Sequence, residues 1–244
     1  MLRRLLAPVL FLVSLSACAQ PAAPAPAAKP AAVRPAQSFP SFVPKEGVDY
    51  NLLPTPEPTF APGKIEVAEV FSYRCIHCAE FQPKVNVYKK TLPADVRWEY
   101  VPGVFGGSWD NFARAFFAAQ LLGVQPKTHD AVFKGVFVDQ VAGSGSLEDI
   151  AKMYGTFGVD SAKMLATMNS FGVTAKLNRA HQFAVRAGVD STPTLVINGK
   201  YRVNVTPEHG FDGMLQTATF VIAQERAALA KGKPAAAAPP KKKG

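Results

Sequence analysis

The stretch VAEVFSYRCIHCAEF, residues 67–81, constrains the architecture more than any other part of the sequence. Two cysteines, Cys75 and Cys78, sit where one periodicity gives way to another. Before them, KIEVAEVFSY (64–73) is rich in Val, Ile and Phe and reads as a buried strand. After them, Phe81, Val85, Tyr88 and Leu92 recur on one helical face, with Pro83 expected to kink the helix. VRWEYVP (96–102) alternates as a second strand and closes a β-α-β unit. Cys75 therefore stands at a strand end and a helix start.

The rest of the chain surrounds this unit. From 103 to 188 the pattern turns helical, opening with SWDNFARAFFAAQLLG. Here Ser108 is expected as an N-cap, Phe112, Phe116 and Leu121 as the apolar face, and Gly123 as the stop. A capping pattern from Ser146 to Asp149 opens a later helix. Residues 189–230 return to strands: TPTLVING and KYRVNV meet at Asn198-Gly199, a strong hairpin signal, and an amphipathic helix with Phe211, Leu215, Phe220 and Ile222 follows. Residues 18–44 and 231–244 are Ala/Pro-rich and carry few large apolar side chains, so they read as tethers, the second of them basic. The 48% hydrophobic content supports a packed core for the remainder.

The first residues, MLRRLLAPVLFLVSLSACAQ, have a basic start and a short apolar run, the pattern of an export signal over 1–17. Leu15-Ser16-Ala17-Cys18 fits a lipoprotein signal in which Cys18 becomes the acylated first residue. Ala17-Cys18-Ala19 also fits ordinary cleavage that discards it. Either route places the mature chain outside the cytoplasm, where thiols can oxidise, and leaves Cys75 and Cys78 as the only pair. The formal charge of +9 becomes +7 (25 basic against 18 acidic residues) once Arg3 and Arg4 are lost, and much of the excess lies in the tail. No interleaving of basic and aromatic residues suggests nucleic-acid binding.

A CxxC pair suits a metal site, a structural bridge or a redox centre. Zinc needs four ligands, and His129, His181 and His209 are scattered singly, so they read as surface residues on helices or at a cap. A bridge across two residues constrains the unfolded chain less than a long one. A redox role explains position as well as spacing, because unpaired backbone N–H groups at a helix N-terminus favour a thiolate. The dipole supplies roughly 0.3–1 kcal/mol, while one pKa unit needs about 1.4 kcal/mol. Further donors are required, and His77, Arg74 and nearby backbone are the candidates. A favoured thiolate stabilises the reduced form and makes the disulfide an electron acceptor. Phe105, Trp109, Phe112, Phe116 and Phe117 read mostly as core, with some available to rim a groove for unfolded clients.

Together VAEVFSYRCIHCAEF and STPTLVINGKYRV (191–203), with a helical block between, resemble the DsbA family of bacterial periplasmic thiol oxidants. The resemblance implies an α/β thioredoxin fold, in parts 45–102 and 189–230, with an inserted helical domain at 103–188. It implies a protein disulfide oxidase with no metal or organic cofactor, an accessible nucleophile at Cys75, a buried partner at Cys78 and a thiolate-tuning residue at His77. By the same resemblance Glu69 is a buried acid that helps move the Cys78 proton, and Thr192-Pro193 is a cis-proline loop that pairs with client backbone. Partners would be reduced exported proteins, a DsbB-like quinone-linked membrane oxidase and, through Cys18, the membrane itself. Ile76 departs from the proline common between the family's cysteines, and Thr192 stands where the oxidant often has valine and isomerases often have threonine. Both positions tune redox potential, so a reductase or isomerase of the same fold stays an alternative, as does a non-catalytic chaperone.

Overall fold

A five-stranded mixed sheet carries the CxxC segment at the end of one of its interior strands. The computed structural model describes residues 42–60 and 63–232; the export signal, Cys18 and most of both tethers lie outside them. The strands are β1 (Tyr50–Leu52), β2 (Ile65–Phe71), β3 (Val96–Pro102), β4 (Thr194–Ile197) and β5 (Tyr201–Asn204), in spatial order β1-β5-β4-β2-β3. β2 runs parallel to β3, joined through α1 (Ile76–Tyr88), and antiparallel to β4. Flanked on both edges, β2 is buried at every position, which accounts for its five apolar residues and leaves Glu66 and Glu69 as buried carboxyls.

Between β3 and β4 lie α2 (Ser108–Leu121), α3 (Gln125–Phe137), α4 (Leu147–Thr156), α5 (Ser161–Met168) and α6 (Phe171–Arg186); α7 (Gly210–Ala230) follows β5. Ser146 caps α4, its hydroxyl accepting from the Asp149 amide at 3.1 Å. The Asn198-Gly199 turn is left-handed at both residues and closes β4 on β5. Gly199 also meets residue 57 closely: its carbonyl accepts from the Glu57 amide at 2.7 Å, and a Cβ there would stand 1.9 Å from the Glu57 carbonyl oxygen.

Several local expectations change. Ser108 begins α2 instead of capping it; Gly107 is the cap, at φ 58°. Gly123 does end the helix in the left-handed region. Phe112 and Phe116 are buried, whereas Leu121, on the last turn, is 49% exposed. α1 continues through Pro83, because Phe81 and Val85 are buried on either side and hold the segment in place. A short 3₁₀ turn at 89–91 then ends it. β1 had no signal of its own: three residues cannot establish a period, and pairing with β5 defines the strand.

The largest correction concerns His129, which is 4% exposed and not a surface residue. It lies on α3 among the rings of Phe71, Tyr73, Tyr100, Phe116 and Phe133. Its Nδ1 is 2.8 Å from the Tyr73 hydroxyl. Burial holds it neutral, pushing its pKa down to about 3. His181 is exposed on α6, and His209 is the N-cap residue of α7, its ring stacked on Phe42 at 3.8 Å.

Candidate active site

The site is built where β2 ends. After Phe71 the chain makes a tight turn, the Cys75 amide donating to the Ser72 carbonyl at 3.0 Å and the Arg74 amide to the Ser72 hydroxyl at 3.1 Å. Tyr73, 1% exposed and held by the rings around His129, fixes the turn to the core. The turn delivers Cys75 to the N-cap position of α1, where its sulfur accepts from the Cys78 amide at 3.3 Å. The Cys75 thiol also donates to the Thr192 carbonyl at 3.2 Å. The Thr192-Pro193 bond is cis, so this loop and the CxxC turn meet although they are far apart in sequence.

The two thiols are chemically unlike. Cys75 retains 7% exposure and Cys78 none. The Cys75 pKa is drawn down to about 6, first by a hydrogen bond from the Cys78 side chain. Desolvation opposes this, and donors from Thr192 and the amides of Cys78 and His77 add to it. Cys78 is pushed far above the ordinary thiol range by burial, by its bond to Cys75 and by the charge of Glu69. The pair in effect shares one proton, which Cys78 holds.

Glu69 lies in the middle of β2, 1% exposed, with Oε2 lacking a hydrogen-bond partner. Burial raises its pKa to about 8, with the Trp98 indole and the Lys89 ammonium pulling it down and Cys75 adding to the rise. The carboxyl is therefore neutral at pH 7. Sequence reasoning missed Lys89 and Trp98 as its neighbours; one ends α1 and the other lies on β3, and no periodicity links them.

His77 contributes differently from expectation. Its imidazole is turned outward, with Nδ1 3.2 Å from Glu80 Oε2, and its amide N–H is what favours the thiolate. Arg74 is exposed, and Ile76 is 46% exposed on the first turn of α1. Among the described residues, no group of three or more His, Cys, Asp and Glu is arranged to hold a metal ion. Phe105 and Trp109 meet edge to face at 5.5 Å, with Phe105 46% exposed.

A thioredoxin family model matches residues 61–216. The thiol:disulfide interchange protein DsbA of Azotobacter vinelandii is 36% identical over 184 residues, covering 75% of this chain and 86% of that protein. This chain belongs to the DsbA family. The DsbA of Pseudomonas aeruginosa is likewise 36% identical, over 76% of this chain and 87% of its own length. A crystal structure of the oxidoreductase DsbA from Xylella fastidiosa matches with a TM-score of 0.72 at 37% identity, covering 77% of this chain and all of that one. The chain is a DsbA-like thiol-disulfide oxidoreductase with the family's thioredoxin fold, and α2–α6 occupy the place of the helical insertion.

Proposed function

We propose that Cys75 is the nucleophile of a protein disulfide oxidase and that the Cys75–Cys78 disulfide is what it donates. The observation that carries this reading is the contrast between the two thiols, one drawn down to about 6 at a helix N-terminus and one buried and held protonated. A client thiolate attacks Cys75 Sγ, and the electron pair of the S–S bond leaves on Cys78. Glu69, a neutral acid below about pH 8, supplies the proton that Cys78 then takes. A second client thiolate attacks the client sulfur of the mixed disulfide and expels Cys75 as its favoured thiolate. The client gains one disulfide, and the enzyme is left reduced by two electrons.

Thr192 and Pro193 shape the loop beside Cys75 and are the residues proposed to pair with client backbone; Ile76 and Arg74 are proposed to tune the potential. Re-oxidation falls to a quinone-linked membrane oxidase of the DsbB kind, the partner implied by the family resemblance. Ultraviolet absorbance of the thiolate should titrate Cys75 near pH 6. Ionisation no easier than that of free cysteine, at about 8.5, would remove the driving force and favour the reductase or isomerase reading.

The mature protein is proposed to be periplasmic and anchored through lipidated Cys18. Among the described residues no helix is long and apolar enough to cross a membrane. Mass spectrometry of the mature N-terminus should find a diacylglycerol adduct on Cys18, whereas a chain beginning at Gln20 would rule the anchor out.

A further inference from the structure

Between α1 and α3 runs a groove of about 520 Å³ that the exchange chemistry does not use. Its volume lies in the range of ligand-binding clefts. Apolar lining comes from Ile76, Ala79, Pro83, Phe133, Phe137 and Val138. Ile76 and Val138 are 46% and 70% exposed, so large apolar groups face solvent at both walls. One end of the groove is the residue next to Cys75, which makes it continuous with the place where a client sulfur must arrive.

Charge and backbone chemistry narrow the occupant. Glu80 and Asp130 also line the groove. The cation in the lining, Lys134, is ion-paired with Asp139. Asp130 accepts from the amides of Gln82 and Asn86, at 3.0 and 2.8 Å, which leave its charge in place. The edge is therefore acidic. Pro83 has no N–H to give the Ala79 carbonyl four residues earlier, and both residues line the groove. A long apolar trough with an acidic edge, opening beside Cys75, suits an extended polypeptide better than a small ligand.

We propose that this groove binds the client segment flanking the reactive cysteine, and that it selects a large apolar residue followed by lysine or arginine. The inference rests on the disulfide-donor reading above. The apolar residue lies against Phe133, Phe137 and Val138, and the cation against Asp130.

The test uses the oxidised mature protein and single-cysteine peptides whose flanks carry Leu-Lys, Leu-Glu, Ser-Lys or Ser-Glu. Mixed-disulfide formation is timed by quenched mass spectrometry, with dithiothreitol as a reductant too small to fill the groove. The Leu-Lys peptide should react about tenfold faster than Ser-Glu. Asp130→Asn should erase most of the preference for Lys over Glu, and Val138→Ser most of that for Leu over Ser, with the dithiothreitol rate unchanged. A wild-type protein indifferent to flanks, or variants that keep the preference, overturns the proposal. Preference retained while Val138→Ser weakens self-association in sedimentation would assign the groove to a second copy of the chain and overturn it equally. Failure of dithiothreitol to reduce the Cys75–Cys78 bridge would instead sink the donor reading itself.

Discussion

Cys75→Ser will lose oxidative refolding of a reduced client, with the rate falling more than about 10³-fold to the background of the buffer. A serine hydroxyl forms no bridge with Cys78, and Cys78 has no exposure with which to take over. Counting client thiols against time measures the loss. Cys78→Ser makes the informative contrast: it too has no disulfide to donate, but given oxidised glutathione its Cys75 thiolate should attack that disulfide, release one glutathione thiol and stay trapped as a stable mixed disulfide. Substantial turnover by Cys75→Ser would show that the assignment of the nucleophile is wrong.

Glu69→Gln should make the protein more stable, and only at the higher pH values. The carboxyl ionises near 4.5 in the unfolded chain but near 8 when folded. A raised folded pKa gives stability that is complete below the unfolded value and is lost as pH rises through the folded one. At pH 8 the wild-type protein therefore carries a penalty on the order of 3–5 kcal/mol that glutamine does not. For a domain of this size that corresponds to roughly 10 °C in Tm. Urea unfolding at pH 8 and at pH 4.5 should show the advantage and then its disappearance. The same substitution removes the proton donor proposed for Cys78 and should slow the exchange by on the order of 10². Equal stability of the two proteins across this range would mean that Glu69 ionises as an ordinary surface carboxylate.

What could be read from the sequence follows from the distance over which each interaction acts. The β2-CxxC-α1 unit was legible because its signals are local: a run of Val and Phe, then thiols, then a helical period. The hairpin at Asn198-Gly199 was legible for the same reason, since both residues must enter the left-handed region. Long-range geometry was not legible. The approach of Thr192 to Cys75 came only from family resemblance, and nothing within three residues announces β1. The surface reading of His129 failed because the ring is pulled inward by aromatic neighbours on three other elements and by the Tyr73 hydroxyl, none of them near it in sequence. His77 stands between the two cysteines, yet its side chain turns to Glu80 and its backbone meets the sulfur, a distinction that residue type does not encode.

Tyr73 belongs to two neighbourhoods at once: its backbone lies two residues before the reactive sulfur, while its ring is lodged among helices that a simpler thioredoxin frame would lack. The added helices are thus not free to drift under mutation on their own. A change in the size or polarity of Phe112, His129 or Phe133 must be answered at Tyr73, or it will be felt as a displaced sulfur. Inheritance should treat the helical block and the catalytic turn as a single unit.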